Sequence, residues 1–210
     1  MKITKLGHCC LLIESKGKRI LTDPGSYTGE AHSKLENIDY ILFTHEHQDH
    51  YHIESLKIIL SKNPNAKIYA NNSVSELLAK ESIGHTLVNH GDSVLLGEIK
   101  LDGIGEKHAE MHKSIPLSPN LGFFIEERLW YPGDAFTDPK RAVEILVLPV
   151  SGPWMKLSEA IDYTLLLKPK IAFPVHDGTR FGSAHTLPAK ILAPVGIEFV
   201  VMVEGDSKEF

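Results

Sequence analysis

The chain has 210 residues, of which 42% are hydrophobic, 8% aromatic and 23% charged. These fractions are ordinary for a globular protein and exclude disordered, collagen-like and coiled-coil chains. A formal charge of −5 and a pI near 6.2 argue against neutralising a phosphate backbone, so no nucleic-acid partner is expected.

No apolar run approaches the roughly 20 residues of a membrane helix, so no membrane partner is expected either. The stretch Met1–Glu14 has charges inside its apolar run and no small-residue cleavage site, so it does not read as a secretory signal. A cytoplasmic location and one domain over 1–210 are expected; no oligomeric state is assigned.

Short apolar or alternating runs at Ile3–Leu6, Cys9–Glu14 and Lys18–Thr22 predict strands, the last two joined by a turn at Ser15-Lys16-Gly17. Cys9 and Cys10 would face opposite sides of their strand, too close along the chain for an ordinary disulfide, one buried and one more exposed. A loop follows from Asp23 to about Asn37. Tyr40–Phe43 is a continuous apolar run, as in a fully buried strand. Ile53, Leu56, Ile59 and Leu60 mark a helix over 53–61.

Ala66–Ala70 reads as a strand, and Ser73 with Glu76 as a capping box for a helix to Glu81. Two or three antiparallel strands are expected between Thr86 and Ile104, and a hairpin from Leu121–Glu126 and Arg128–Tyr131. Asp138-Pro139 carries a helix-start signal. Then come a buried strand (Ile145–Val150), a helix (Leu157–Lys168) stopped by Pro169, a strand (Ile171–Val175), a short helix (Leu187–Ala193) and a closing strand (Glu198–Val203). Each half holds several strands followed by a strand–helix unit, Tyr40–Ser61 and Ile145–Lys168. That hints at a duplicated α/β layout, and two packed sheets with outer helices would use these elements.

The chain has 12 histidines, unevenly spread. Directly after the buried strand comes Thr44-His45-Glu46-His47-Gln48-Asp49-His50. As an extended continuation it would project His45, His47 and Asp49 to one side, with His50 breaking the alternation. Imidazole and carboxylate are ligands for zinc, iron and manganese, and four such groups within six residues are hard to explain as a polar loop. They cannot complete two metal sites alone. The best further candidates each follow a predicted strand: His108 after Ile104, Asp134 in Tyr131-Pro132-Gly133-Asp134, and His176 in Phe173-Pro174-Val175-His176.

With its His-x-His-x-Asp-His motif at 45–50, then a later His, an Asp and a final His, the sequence resembles the metallo-β-lactamase-fold hydrolase superfamily. Leu6-Gly7-His8, Ile20-Leu21-Thr22-Asp23-Pro24 and the Pro-Gly-Asp turn are most similar to its compact branch, which includes ascorbate-6-phosphate lactonase-like proteins. The resemblance implies a four-layer αββα sandwich with metals at one edge of the two sheets. It implies two divalent metal ions, zinc first, with manganese or iron as alternatives. His45, His47 and His108 would hold one, and Asp49, His50 and His176 the other, with Asp134 bridging; Asp49 and Asp134 would be the catalytic carboxylates.

His112 is the alternative to His108 as third histidine; otherwise it touches substrate, supports a ligand or is exposed. His8 and Asp23 match family positions near the metal edge, where they either orient ligands or merely satisfy nearby backbone. His185 is a candidate for the pocket lining. Trp154 either walls the pocket or packs on the following helix. His52 is expected on a helix exterior, and His32, His85 and His90 in solvent.

Two divalent metals about 3.5–4 Å apart ionise a bridging water near neutral pH. The expected reaction is therefore hydrolysis of an ester, lactone, amide or phosphodiester, with hydroxide as nucleophile. Consistently, there is no Gly-x-Ser-x-Gly elbow, Walker loop or Gly-x-Gly-x-x-Gly. Pocket loops are expected at 24–37, 105–120, 151–156 and 177–186. Lys113, Lys156 and Arg180 on them could hold an anionic substrate or simply be solvated. A phosphorylated sugar lactone or another small ester is the first expectation. Two other readings use the same residues: redox chemistry at a mononuclear iron on His45, His47 and His108, or a binding protein that keeps metals for structure.

Overall fold

In β1 (Lys2–Gly7), Ile3, Lys5 and Gly7 are buried and their neighbours are not, the period-2 pattern of a strand covered on one face. The computed structural model describes residues 1–178 and 183–210, apart from the side chains of His32, Ser33 and Ser183. β2 (Cys10–Ser15) and β3 (Lys18–Thr22) follow, then a 3-10 segment over Ser26–Lys34 and β4 (Tyr40–Phe43). α1 (Ile53–Lys62), β5 (Lys67–Ala70), α2 (Asn72–Lys80) and β6 (Thr86–Leu87) complete the first half. The second half holds β7 (Ser93–Leu96), β8 (Ile99–Ile104), β9 (Gly122–Ile125), β10 (Leu129–Tyr131) and β11 (Ile145–Pro149). It ends with α3 (Leu157–Leu167), β12 (Ile171–Val175), α4 (Ser183–Leu192), β13 (Glu198–Phe199) and β14 (Ser207–Glu209).

The strands form two seven-stranded sheets, ordered β14-β1-β2-β3-β4-β5-β6 and β13-β12-β11-β10-β9-β8-β7. Each passes from antiparallel to parallel pairing, over β3-β4-β5-β6 in one and β10-β11-β12-β13 in the other. The C-terminal ends of parallel strands are where open α/β sheets place ligands. Leu11, Ile13, Ile20, Phe123, Val147 and Phe173 fill the space between the sheets. Phe43, Leu56, Ile59 and Leu78 pack α1 and α2 on the first sheet, and Leu146, Leu148, Ala160 and Tyr163 pack α3 on the second. The result is an αββα sandwich.

Several expectations are corrected. Cys9 and Cys10 are both buried, 1% and 0% exposed, because helices cover one face of their sheet and the second sheet covers the other. β6 pairs parallel with β5, in a different sheet from the antiparallel pair β7–β8. No helix forms at Asp138-Pro139: the Asp138 carboxylate accepts the Lys140 N–H at 2.8 Å, and Lys140 takes φ 55°, outside helical space. Asn71, not Ser73, caps α2 by accepting the Val74 N–H at 3.1 Å; the Ser73 hydroxyl bonds Glu46 and Asn71. The last strand is the polar β14, paired antiparallel with β1. Among the described residues, no helix is long and apolar enough to cross a membrane.

Candidate metal centre

Two close approaches, one to backbone and one to side chains, bring the ends of β3, β4 and β10 together. Gly25 lies against the chain at Asp49, where an added Cβ would fall 1.9 Å from the Asp49 carbonyl oxygen. Gly133 takes φ 65° and turns against Asn120, whose Oδ1 would lie 2.4 Å from an added Cβ. Glycine is the residue that fits both. The segment after β4 is not extended, contrary to expectation. The N–H groups of His50 and Tyr51 both donate to the His47 carbonyl, at 2.9 and 2.7 Å. This turn splits the motif: His45 Nε2 lies 3.0 Å from His47 Nδ1, while Asp49 Oδ2 lies 3.3 Å from His176 Nε2.

Asp134 stands at the centre. Its Oδ2 is 2.9 Å from His176 Nε2, 3.4 Å from His108 Nε2 and 4.0 Å from His45 Nε2, and its Oδ1 is 3.2 Å from His50 Nε2. Asn120 Oδ1 accepts the Asp134 N–H at 3.0 Å, and the Trp154 indole N–H donates to Asp134 Oδ2 at 3.0 Å.

The outer nitrogens are held by the scaffold. His50 Nδ1–H donates to Asp23 Oδ2 at 2.8 Å, and His108 Nδ1–H to the Ala109 carbonyl at 2.6 Å. The Thr44 hydroxyl donates to Asp23 Oδ2 at 2.8 Å and so accepts His45 Nδ1–H at 3.0 Å. Each of these histidines thereby turns its Nε2 toward Asp134. His50 Nε2, His108 Nε2 and Asp134 Oδ1 are buried without a hydrogen-bond partner. Buried polar atoms are rarely left so, and converging lone pairs are what a cation satisfies.

Among the described residues, His45–His47–His108, His45–His50–Asp134 and His8–Cys9–His50–His176 each gather ligand atoms within 4.8 Å of one another. Imidazole and carboxylate suit zinc, manganese or iron, so the residues fit such ions. Burial opposes charge on His50 and His176, yet the Asp134 carboxylate and the other acidic groups around them, Asp23 beside His50 and Asp49 beside His176, together hold both well above the usual imidazole range. Asp134 is buried too, but those two imidazoles hold it well below the usual carboxylate range. Burial, then the charge on His50, pushes His45 well down.

A sequence model of the Beta-lactamase superfamily domain matches residues 2–176. The chain belongs to this superfamily. Protein Rv0786c of Mycobacterium tuberculosis is 35% identical over 181 residues, 84% of each chain. UPF0173 metal-dependent hydrolase NEQ378 of Nanoarchaeum equitans is 30% identical over 193 residues, 85% of each. Igni18, a metallo hydrolase of Ignicoccus hospitalis, shares the fold with a TM-score of 0.76 at 21% identity, over 100% of this chain and 98% of that one. The beta-lactamase superfamily match runs from β1 to His176 and so contains all seven clustered residues.

Of the residues singled out around this superfamily motif, His8 and Asp23 both touch cluster members. His8 Nδ1 accepts the Gly178 N–H at 3.2 Å, so its Nε2–H donates to Asp49 at 3.0 Å. Trp154, with Met111 and Pro153, walls a cavity of about 260 Å³ over His47, Asp49, His108, Asp134 and His176. A larger cavity of about 650 Å³, against β8 and residues 137–141, has none of these in its lining. His185 does not line the smaller cavity: its Nε2 lies 2.7 Å from Asp177 Oδ2, which also accepts Lys5 Nζ at 2.6 Å. His108 reaches the cluster; His112 sits on an exposed loop beside Ser114, 2.7 Å away.

His52 is half-buried and hydrogen-bonded to Ser55, while His85 bonds the Ile83 carbonyl and His90 accepts the Gly105 N–H. Lys113 and Lys156 are exposed and outside the cavity lining. Arg180 and the side chain of His32 lie outside the described residues. Sequence reading missed Thr44, Asn120, Tyr131, Lys5 and Asp177. Lys5 carried a signal, since it shares the inward face of β1 with Ile3.

Proposed function

We propose that the protein is a metal-dependent hydrolase that binds two divalent cations and cleaves a small ester, lactone or phosphodiester. One observation carries this reading: the buried Asp134 carboxylate lies among the Nε2 atoms of His45, His50, His108 and His176, with buried lone pairs unpaired around it. His45, His47 and His108 take one cation, Asp49, His50 and His176 the other, and Asp134 lies between. When bound, such a pair supplies a hydroxide nucleophile near neutral pH and polarises the substrate oxygen. The donor set suits zinc, and the relative named a metal-dependent hydrolase supports the reaction class.

The surrounding side chains supply the rest. Asp23, Thr44 and the Ala109 carbonyl hold three imidazoles in the tautomer a cation requires, so loading needs no ring reorientation. His8 fixes Asp49, and the Trp154 indole fixes Asp134. The 260 Å³ cavity is smaller than the about 300–1,000 Å³ of usual ligand pockets, which favours a compact substrate.

The test is elemental analysis of wild type and His176→Ala, with chromogenic ester, lactone and phosphodiester substrates assayed on both. About two zinc or manganese ions per chain are expected, with fewer ions and loss of hydrolysis in the variant. About one iron per chain, unchanged in the variant, would sink the reading and point to oxygen chemistry.

A further inference from the structure

We infer that the thiol of Cys9 is a further ligand for the cation on the Asp49–His50–His176 side, which makes that half of the centre a sulfur-containing site. The inference rests on the two-cation reading above. Cys9 follows the tight turn out of β1, where His8 takes φ 47° in the left-handed region. It enters β2 facing the opposite way from Cys10. Cys10 packs toward α1 and α2 with Phe43 and Leu56, while Cys9 faces the space between the sheets.

There the sulfur ends among nitrogens. The ligand atoms of His8, Cys9, His50 and His176 all lie within 4.8 Å of one another. Both ring nitrogens of His8 are committed, one to Asp49 and one to Gly178, which leaves the sulfur and the Nε2 atoms of His50 and His176 as donors. His50 Nε2 is fully buried with no hydrogen-bond partner, an independent mark of a missing cation. The Cys9 carbonyl accepts the Thr22 hydroxyl at 3.0 Å, which anchors the residue. Cys9 also touches the apolar cluster between the sheets, but packing alone gives no reason for the nitrogens of His50 and His176 to converge beside its sulfur.

On loading, the S–H bond breaks, its proton leaves to solvent, and the thiolate pair forms the bond to the cation, with no change of oxidation state. A thiolate shifts preference toward zinc, cobalt and cadmium and away from manganese and magnesium. Cobalt(II) reports this directly. Chelator-treated wild type, Cys9→Ser and Cys10→Ser are titrated with cobalt(II) while thiolate-to-cobalt charge-transfer absorption is followed.

Wild type and Cys10→Ser are expected to develop the band as the second equivalent binds. Cys9→Ser should lack it and hold that equivalent at least about tenfold more weakly. Two equivalents bound by wild type with no such band would overturn the proposal and leave the two-cation reading intact. Uptake of one equivalent or none would overturn both. The wild-type spectrum decides even if Cys9→Ser fails to fold, and loss of the band in Cys10→Ser alone would also overturn it.

Discussion

The Nδ1–H of His50 donates to the Asp23 carboxylate across 2.8 Å, joining the loop after β3 to the loop after β4. The same carboxylate accepts the Thr44 N–H and O–H, each at 2.8 Å, and the Tyr131 hydroxyl at 2.5 Å. One buried acid thus sets the ring angle of a candidate ligand and ties it to both sheets. Asp23→Asn keeps the shape but loses an acceptor. Zinc affinity should fall about 10–100-fold in competition with a chromogenic chelator, and unchanged affinity would remove Asp23 from the site.

His108 and His112 are separable by exposure and neighbours. His108→Ala should lower metal content by about one ion per chain and abolish hydrolysis, because its buried Nε2 faces Asp134 at 3.4 Å. His112→Ala should leave both unchanged, since that ring meets solvent and Ser114. The reverse outcome would exchange their roles.

Lys5 closes the two sheets behind His176. Its ammonium, in a residue 1% exposed, donates to Asp177 Oδ2 at 2.6 Å, the Pro174 carbonyl at 2.9 Å and the Met202 carbonyl at 3.3 Å. Lys5→Met leaves a buried carboxylate short of its cation and should cost about 3–5 kcal/mol in urea unfolding. Adding Asp177→Leu removes that stranded charge and should recover part of the loss. A double variant no more stable than Lys5→Met would show that the pair is not what Lys5 contributes.

Acid–base behaviour follows from the raised His50 and His176. Their folded values exceed the unfolded value of about 6.5, so their pairing with Asp134 stabilises the metal-free fold fully below about pH 6.5. That contribution fades as pH rises through the raised values. Asp134 is depressed, so its share is present above the usual carboxylate range and is lost as pH falls through its lowered value. Zinc must displace the imidazole protons. Binding near neutral pH should therefore release protons, and the rise in Tm on adding zinc should grow between about pH 6 and pH 8.5. A rise independent of pH would contradict this.

The residues themselves determined a good part of this protein. Continuous apolar runs announced β4 and β11 as strands buried on both faces, and His45–His50, His108, Asp134 and His176 each stand past a strand end. Ligand type and strand position are local properties, and local periodicity reports them. Tertiary structure decided what depends on distant partners. Tyr131 meets Asp23 across 108 positions and Lys5 meets Asp177 across 172, contacts that exist because two sheets pack face to face. The turn at His47–Tyr51 is set by Gly25 pressing on Asp49, and an alternation of histidines and acids carries no trace of that crossing. β14 has no apolar pattern and forms because β1 offers it an open edge. Asp138-Pro139 carried a true helix-start signal, but the Asp138 side chain took the N–H of Lys140 and turned the chain instead. Local preference sets where a strand or ligand can be, and packing between the sheets sets which ones meet.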